Sequence, residues 1–167
     1  MARREKEIIM VIFKAVIDAV KEYNVTAGII TEEPNNELRI RNCLNGNKIS
    51  VFKESYYTQN MKNVYAEYIV CFATQHRHFG QEDADDIAEY VTGILNDDIL
   101  PLEFYLNGKD RFGGEIKKND IERLSYDNLT KQYGQYAGDA WLSLEYEIRS
   151  WSGKYDTGRK RVADLIC

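Results

Sequence analysis

The segment that decides the fold runs from Val64 to Leu106 and reads VYAEYIVCFATQHRHFGQEDADDIAEYVTGILNDDILPLEFYL. Its first part, as far as His78, is rich in β-branched and aromatic residues and predicts the longest strand of the protein. A Phe-Gly pair then breaks the chain, and residues 82–95 carry apolar side chains at helical spacing. The last five residues alternate between apolar and polar or aromatic side chains, which predicts a further strand.

The N-terminal part predicts one helix followed by two hairpins. The helix is expected over Arg4 to Tyr23, because its apolar residues recur every three or four positions. Its predicted core face consists of Ile9, Ile12, Phe13, Val16 and Val20. Strands are predicted over Thr26–Thr31, Leu38–Leu44 and Lys48–Glu54. We expect Asn45-Gly46 to form a two-residue type I′ turn, because both central residues of that turn need positive φ.

The C-terminal part predicts one more helix and one more strand. The helix is expected over Asp120–Tyr133, with Asn119 as its N-cap and Gly134 at its end. The strand is expected over Trp141–Arg149, where apolar and polar residues alternate. Leu102, Phe104 and Leu106 are expected to point inward and Glu103 and Tyr105 outward. Asn107-Gly108 is expected to form a turn.

Taken together, the elements predict an α+β protein. Its architecture is an N-terminal helix, a largely antiparallel sheet of about five to seven strands and two further helices packed on one side. A chain of 167 residues without a Gly/Ser/Pro-rich linker predicts a single α+β domain over residues 1–167.

The net charge of the chain indicates which classes of binding partner to expect. The formal net charge is −5, from 27 acidic and 22 basic residues. A protein that binds nucleic acid or an anionic membrane usually presents a basic face. We therefore expect no direct nucleic-acid binding and no membrane association, and the balance of charge modestly favours a basic partner or serves solubility alone.

Cysteine usage and the N-terminus indicate a cytoplasmic protein. Cys43, Cys71 and Cys167 show no metal-binding spacing, and we expect buried, reduced thiols. The apolar run Ile8–Phe13 is too short to cross a bilayer, and no cleavage site for a signal peptide follows it.

An acidic cluster and several aromatic residues are the candidate binding interface. The cluster stands at the start of the second helix, where acids complement the helix dipole. The aromatic residues lie in turn-like stretches, and Tyr and Trp are favoured at interfaces because they bury area at little entropic cost. The predicted interface residues are Asp83, Asp85, Asp86, Glu89, Tyr56, Tyr57, Trp151 and Tyr155.

In size, acidity, tyrosine content and element order, the whole chain resembles bacterial immunity proteins. It has 12 tyrosines and 6 phenylalanines, and no catalytic set is legible. The resemblance implies a cytoplasmic protein that neutralises a toxin by covering its active site, and phage-encoded inhibitors are similar in character. It rests on no motif, so no residue roles are carried over. The implied partner is a basic toxin or nuclease domain, no cofactor is expected, and the protein would be a monomer or homodimer.

A metal site is the alternative interpretation of the acidic corner. His76 and His78 are two residues apart on a predicted strand, so their imidazoles should point to the same face. Two imidazoles can bind zinc or a similar metal, and Glu82 could add a carboxylate. The simpler interpretation is that these histidines pair with carbonyls or with the acids of the helix.

Glu115-Ile116-Lys117 provides a second alternative, because it has the ExK spacing of restriction-type nuclease cores. In such cores a carboxylate and a lysine hold a divalent metal and the attacking water beside the phosphate. The preceding Gly113-Gly114 instead favours a bulge or tight turn before an edge strand. The alternative function is therefore a metal-dependent hydrolase or nuclease acting on phosphoesters through His76 and His78 or through Glu115 and Lys117.

Overall fold

The predicted α+β class is confirmed by a computed structural model, which describes residues 3–32, 35–57, 64–80 and 83–166. It contains an N-terminal helix, a five-stranded and a four-stranded antiparallel sheet and further helices. The chain divides into two compact units, residues 1–95 and 96–167. The single domain stays a prediction.

The first unit is a meander with two helices. The strands follow one another in space in the order in which they occur in the chain, and every neighbouring pair is antiparallel. Its elements are α1 (Arg3–Val20), β1 (Val25–Glu32), β2 (Asn35–Asn42), β3 (Lys48–Tyr57), β4 (Val64–Phe72), β5 (Gln75–Phe79) and α2 (Ala84–Leu95).

The core of the first unit joins one face of this sheet to the apolar stripes of the helices. All five residues of the predicted stripe of α1 are buried, which confirms that part of the prediction. The helix α1 packs against α2, and Tyr90 of α2 contacts Phe79 of β5 with ring centroids 5.4 Å apart. Alternate residues of the central strands complete this core, namely Leu38, Ile40, Ile49, Val51, Tyr68, Val70 and Phe72.

Two turns of the first unit differ from the prediction. The β2–β3 turn is wider than a two-residue Asn-Gly turn, since Asn42 pairs with Asn47 and Gly46 alone has positive φ. Leu44 therefore lies in the turn and is 85% exposed, so its predicted inward position is wrong. The long strand predicted as far as His78 is instead a hairpin, because Ala73, with φ of 54°, reverses the chain between β4 and β5.

The second unit is built around a four-stranded sheet with the order β7-β6-β8-β9. Asn107 and Gly108, both with positive φ, form the predicted turn between β6 and β7. The elements are β6 (Ile99–Leu106), β7 (Lys109–Lys117), α3 (Tyr126–Tyr133), β8 (Glu145–Ile148) and β9 (Lys160–Arg161), with 3₁₀ helices at Lys118–Arg123, Gly134–Tyr136, Gly138–Ser143 and Val162–Leu165.

Phe104 lies at the centre of the second core. Its ring centroid is 4.7 Å from that of Phe112, 5.3 Å from Tyr133 and 5.4 Å from Trp141. Leu100 and Leu102 on the same face of β6 are fully buried in the same cluster. The inward positions predicted for Leu102 and Phe104 are therefore confirmed, and Leu106 packs at the edge of the cluster.

The third helix and the last strand are both shorter than predicted. The helical region divides at Leu124–Ser125, because the Ser125 hydroxyl accepts a hydrogen bond from Asn128 N at 3.3 Å and caps α3. Asn119 lies inside the preceding 3₁₀ helix, so the predicted cap is wrong, whereas α3 does end before Gly134. Residues 141–143 are 3₁₀ helix rather than strand.

Gly114 has a packing role rather than a turn role. It lies within β7, opposite Leu102, where Tyr133 of α3 crosses the strand and donates a hydrogen bond to Glu115 O at 3.0 Å. A Cβ atom at position 114 would stand 2.4 Å from the Tyr133 hydroxyl oxygen and 2.5 Å from Cε1. The nearby irregularity of β7 falls between the pairings of Phe104 and Tyr105, not at the glycines.

We expect Gly114→Ala to lower the free energy of unfolding by about 1–3 kcal/mol, the usual cost of overpacking. Urea unfolding measures the change. Tyr133→Ala removes the obstructing ring, so a double-mutant cycle provides the control: the double variant should lose at least about 1 kcal/mol less than the two single losses combined. Additive losses would contradict the proposed contact.

Candidate functional site

An acidic row lies on the exposed face of α2. Asp85, Asp86 and Glu89 are exposed and stand in the first two turns of the helix, near the positive end of its dipole. No described Lys, Arg or His side chain forms an ion pair with these three carboxylates. The row therefore presents three negative charges without a described ion-pair partner.

Asp83 differs from the acidic row because it is used by the local fold. Its carboxylate accepts a hydrogen bond from Gly80 N at 2.8 Å, and its carbonyl accepts one from Ile87 N at 2.9 Å. It is half-buried, and it fixes the start of α2. Its part in a binding interface stays a prediction.

The histidine pair has the relative orientation that the spacing predicts. His76 and His78 are exposed on β5, and their rings meet edge to face with centroids 5.1 Å apart. The described residues contain no group of three or more His, Cys, Asp or Glu side chains that could hold a metal ion. Glu82, the expected third ligand, lies outside the described residues.

The sheet register brings Cys71 directly opposite His76, an arrangement that sequence spacing did not reveal. Burial raises the pKa of the Cys71 thiol. A raised pKa keeps the sulfur protonated, whereas a nucleophilic cysteine needs a lowered one. The pair therefore has the wrong electrostatics for a cysteine nucleophile. Cys71 is half-buried and Cys43 is exposed, so the predicted burial of Cys43 is wrong, and Cys167 lies outside the described residues.

The ExK residues line a cleft in the second unit. Glu115 and Lys117 lie on one face of β7, and the cleft of about 670 Å³ extends to Asp120, Arg123 and Lys131. Its floor is apolar, formed by Ile116, Leu124 and Leu129. It combines both signs of charge with a concave shape, so it could bind a small polar ligand.

The aromatic residues of the second unit lie in a tightly bonded loop after β8. Trp151 is only 5% exposed, so it offers little contact area in this conformation. Tyr155 is half-buried, with Lys118 Nζ 5.6 Å and Lys154 Nζ 5.4 Å from its ring centroid. Tyr155 is therefore the more accessible of the two aromatic candidates because it is less buried than Trp151.

Two buried carboxylates on the second sheet were missed by the sequence analysis. Glu103 is 2% exposed and Glu147 9% exposed, and they face each other across β6 and β8. The Tyr105 hydroxyl donates to Glu103, and burial together with this hydrogen bond raises the pKa of Tyr105 to about 12. Arg149 Nε lies 3.2 Å from Glu147 Oε1. Glu103 and Tyr105 lie on the face of β6 opposite Leu102 and Phe104, as the alternation predicts, but both are buried rather than exposed.

The other aromatic candidates, Tyr56 and Tyr57, lie at the end of β3 rather than in the predicted loop. They pair with Tyr65 and Val64 of β4. The structure describes the backbone of Tyr56 and Tyr57 but not their side chains. Their place in an interface therefore stays a prediction.

No family model, curated protein or solved structure matches the chain. Within the described residues, no helix is long and apolar enough to cross a membrane.

Asp97 anchors the loop that carries Trp151. It is 6% exposed, adopts φ of 58°, and its Oδ1 accepts a hydrogen bond from Ser152 N at 3.0 Å.

We expect Asp97→Ala to lower the free energy of unfolding by about 1–3 kcal/mol, because alanine tolerates left-handed backbone poorly and offers no acceptor. Asn tolerates this backbone and keeps an oxygen acceptor, so Asp97→Asn should cost clearly less. Denaturant unfolding measures both, and equal losses would show that this hydrogen bond contributes nothing.

Proposed function

We propose that the protein is a non-catalytic protein-binding module that occludes a basic surface of another protein. The observation that carries this proposal is the exposed row Asp85, Asp86 and Glu89, whose charges no described cation offsets. Burying carboxylates without a cationic partner is costly, so this surface suits a partner that supplies Lys or Arg. The resemblance to bacterial immunity proteins and phage-encoded inhibitors adds the expectation of a toxin or nuclease domain as the partner, bound in the cytoplasm.

In the expected binding mode, charge sets the rate of association and buried aromatic area sets the rate of dissociation. Complementary charge speeds the encounter between two proteins, and its effect falls as salt screens it. Tyr56 and Tyr57 are the predicted aromatic contacts on the same unit, where buried ring area would slow release. The remaining acid, Asp83, supports the row by fixing the start of α2.

The proposal is tested first by affinity capture from the native host with tagged protein, and then by kinetics with the captured partner. Reversing the row with Asp85→Lys, Asp86→Lys and Glu89→Lys should slow association at least about tenfold at low salt. The salt dependence of the association rate should flatten in parallel. Surface plasmon resonance at several salt concentrations measures both effects.

A matched triple variant separates this local effect from net charge. Glu122, Asp127 and Asp139 are exposed acids of the second unit, and their reversal to Lys changes the total charge equally. This control should bind like the unsubstituted protein. If both triple variants lose binding equally, net charge rather than the acidic row is responsible, and the proposal fails.

The cleft at Glu115 and Lys117 favours a second candidate, a metal-dependent hydrolase acting on phosphoesters. The carboxylates of Glu115 and Asp120 line the same cleft as Lys117, and oxygen ligands suit Mg²⁺ or Mn²⁺. When bound, such an ion would polarise a phosphate and activate water. Lys117 would then orient the phosphate and stabilise its charge.

Glu115→Gln distinguishes the two candidates. If the protein is a hydrolase, cleavage of a model phosphodiester with Mg²⁺ or Mn²⁺ should fall at least about a hundredfold, because a metal ligand is lost while the shape is kept. Glu122→Gln, an exposed acid on the neighbouring 3₁₀ helix, should leave the rate unchanged. His76→Ala with His78→Ala tests the other metal set in the same assay. No cleavage by the unsubstituted protein, and no bound metal, would remove this candidate.

A further inference from the structure

The two sheets have four edges, and three of them carry protections against pairing with another chain. Edge strands are blunted in natural proteins by charges, bulges or short length, because their free backbone groups attract further strands. On β5 the exposed residues are His76, Arg77 and His78, on β7 they include Lys109 and Arg111 beside an irregular register, and β9 has two residues. Each of these devices makes an added strand unfavourable.

The fourth edge, β1, carries none of these protections. Its residues Val25 to Thr31 read VTAGIIT, with no charge and no proline, and the first charged residue is Glu32 at its end. Among the described residues, β2 is the only strand that pairs with β1, and that ladder is regular over all eight residues. A regular edge of eight residues, of which the first seven are uncharged, is a template for a further strand.

Gly28 lies in the middle of β1 and leaves one face of this edge without a side chain at that position. A glycine inside a strand weakens it, and one is usually explained by positive φ, by crowding, or by the approach of a second backbone. Gly28 does not have positive φ, and a Cβ atom there would meet nothing within 4 Å. Neither positive φ nor crowding by a described residue explains this glycine, and position 28 has room for a larger side chain.

We propose that β1 pairs with β1 of a second copy of this chain, so that two five-stranded sheets join into one continuous antiparallel sheet. Opposite residues of an antiparallel pair face the same side of a sheet, so the twofold axis must pass midway between the two copies of one residue. With Gly28 on the axis, Ala27 lies opposite Ile29 of the second copy and Thr26 opposite Ile30. Small side chains then meet large ones, and the positions next to the axis remain uncharged.

Charge favours pairing of two copies through β1 over pairing through β5. Each copy carries a net charge of −5, so two copies repel each other in general. The ladder through β1 brings no like charges into register, since Glu32 falls opposite Asn24. Pairing through β5 centred on Arg77 would instead place two arginines directly opposite each other, and like charges directly opposite are destabilising.

The oligomeric state of the full chain tests this proposal. Sedimentation equilibrium at concentrations up to roughly 1 mM should show a reversible dimer, because interfaces of this small size bind weakly. Gly28→Lys should raise the dimer dissociation constant at least about tenfold, since it places two lysines face to face on the axis. The open space at position 28 lets the monomer accept the side chain, and circular dichroism checks that the variant is folded.

Leu44→Lys is the matched control, because it adds the same charge at an exposed turn position outside β1. It should leave the dissociation constant within about twofold. A monomeric unsubstituted chain over the whole concentration range overturns the proposal. So does a dimer that Gly28→Lys leaves intact, since the interface then lies elsewhere.

Gly28→Cys provides a second, covalent readout that does not depend on the lysine variant. Opposite residues of an antiparallel pair lie roughly 4.5–5.5 Å apart at Cα, a distance that a disulfide spans. Mild oxidation should therefore link two copies far more efficiently than it links the unsubstituted chain. A yield no higher than that of the unsubstituted chain would count against the register. Protection of residues 25–32 from hydrogen exchange only when the captured partner protein is added would assign this edge to that partner and overturn self-pairing.

Discussion

The burial of one apolar sheet face in each unit is the constraint on which the rest of the structure depends. In the first unit, Leu38, Ile40, Ile49 and Val51 are completely buried on the same side of β2 and β3. Because side chains alternate along a strand, fixing these four residues also fixes which residues face the other side. The ion pair of Glu37 with Arg39 on that other side follows from this. Arg39 donates to the Glu37 carboxylate and lowers its pKa.

Elements with a strong local period could be predicted, whereas elements set by a single backbone conformation could not. The stripe of α1 and the inward residues of β6 follow from spacing alone, since any other conformation would expose them. The β4–β5 turn depends on Ala73 at positive φ. Alanine is not one of the residues that signal a turn in a sequence. The break before α3 depends on Ser125, which caps this helix although it lies inside the segment whose pattern predicts one continuous helix. Only tertiary packing decides between such alternatives.

The candidate site shows the same division. The acidic row could be placed from sequence because helix starts attract acids and because its residues share one face of α2. The burial of Trp151 and of Glu103 could not be foreseen, because each depends on contacts with residues far along the chain, such as the Asp97–Ser152 hydrogen bond. An aromatic residue in a polar, glycine-containing loop has the same local pattern whether it anchors a partner or its own fold.

The placement of the tryptophans makes the two units spectroscopically distinct. The chain has 2 tryptophans, and both Trp141 and Trp151 belong to the second unit, where each is 5% exposed. Their emission therefore reports the environment of residues 96–167, while the longest helices, α1 and α2, contribute their ellipticity from residues 1–95. Emission follows the second unit during unfolding, whereas far-ultraviolet ellipticity is weighted toward the first unit, which holds the two longest helices. Coincident transitions would mean that the halves unfold as one cooperative body, and separate transitions that each half has a stability of its own.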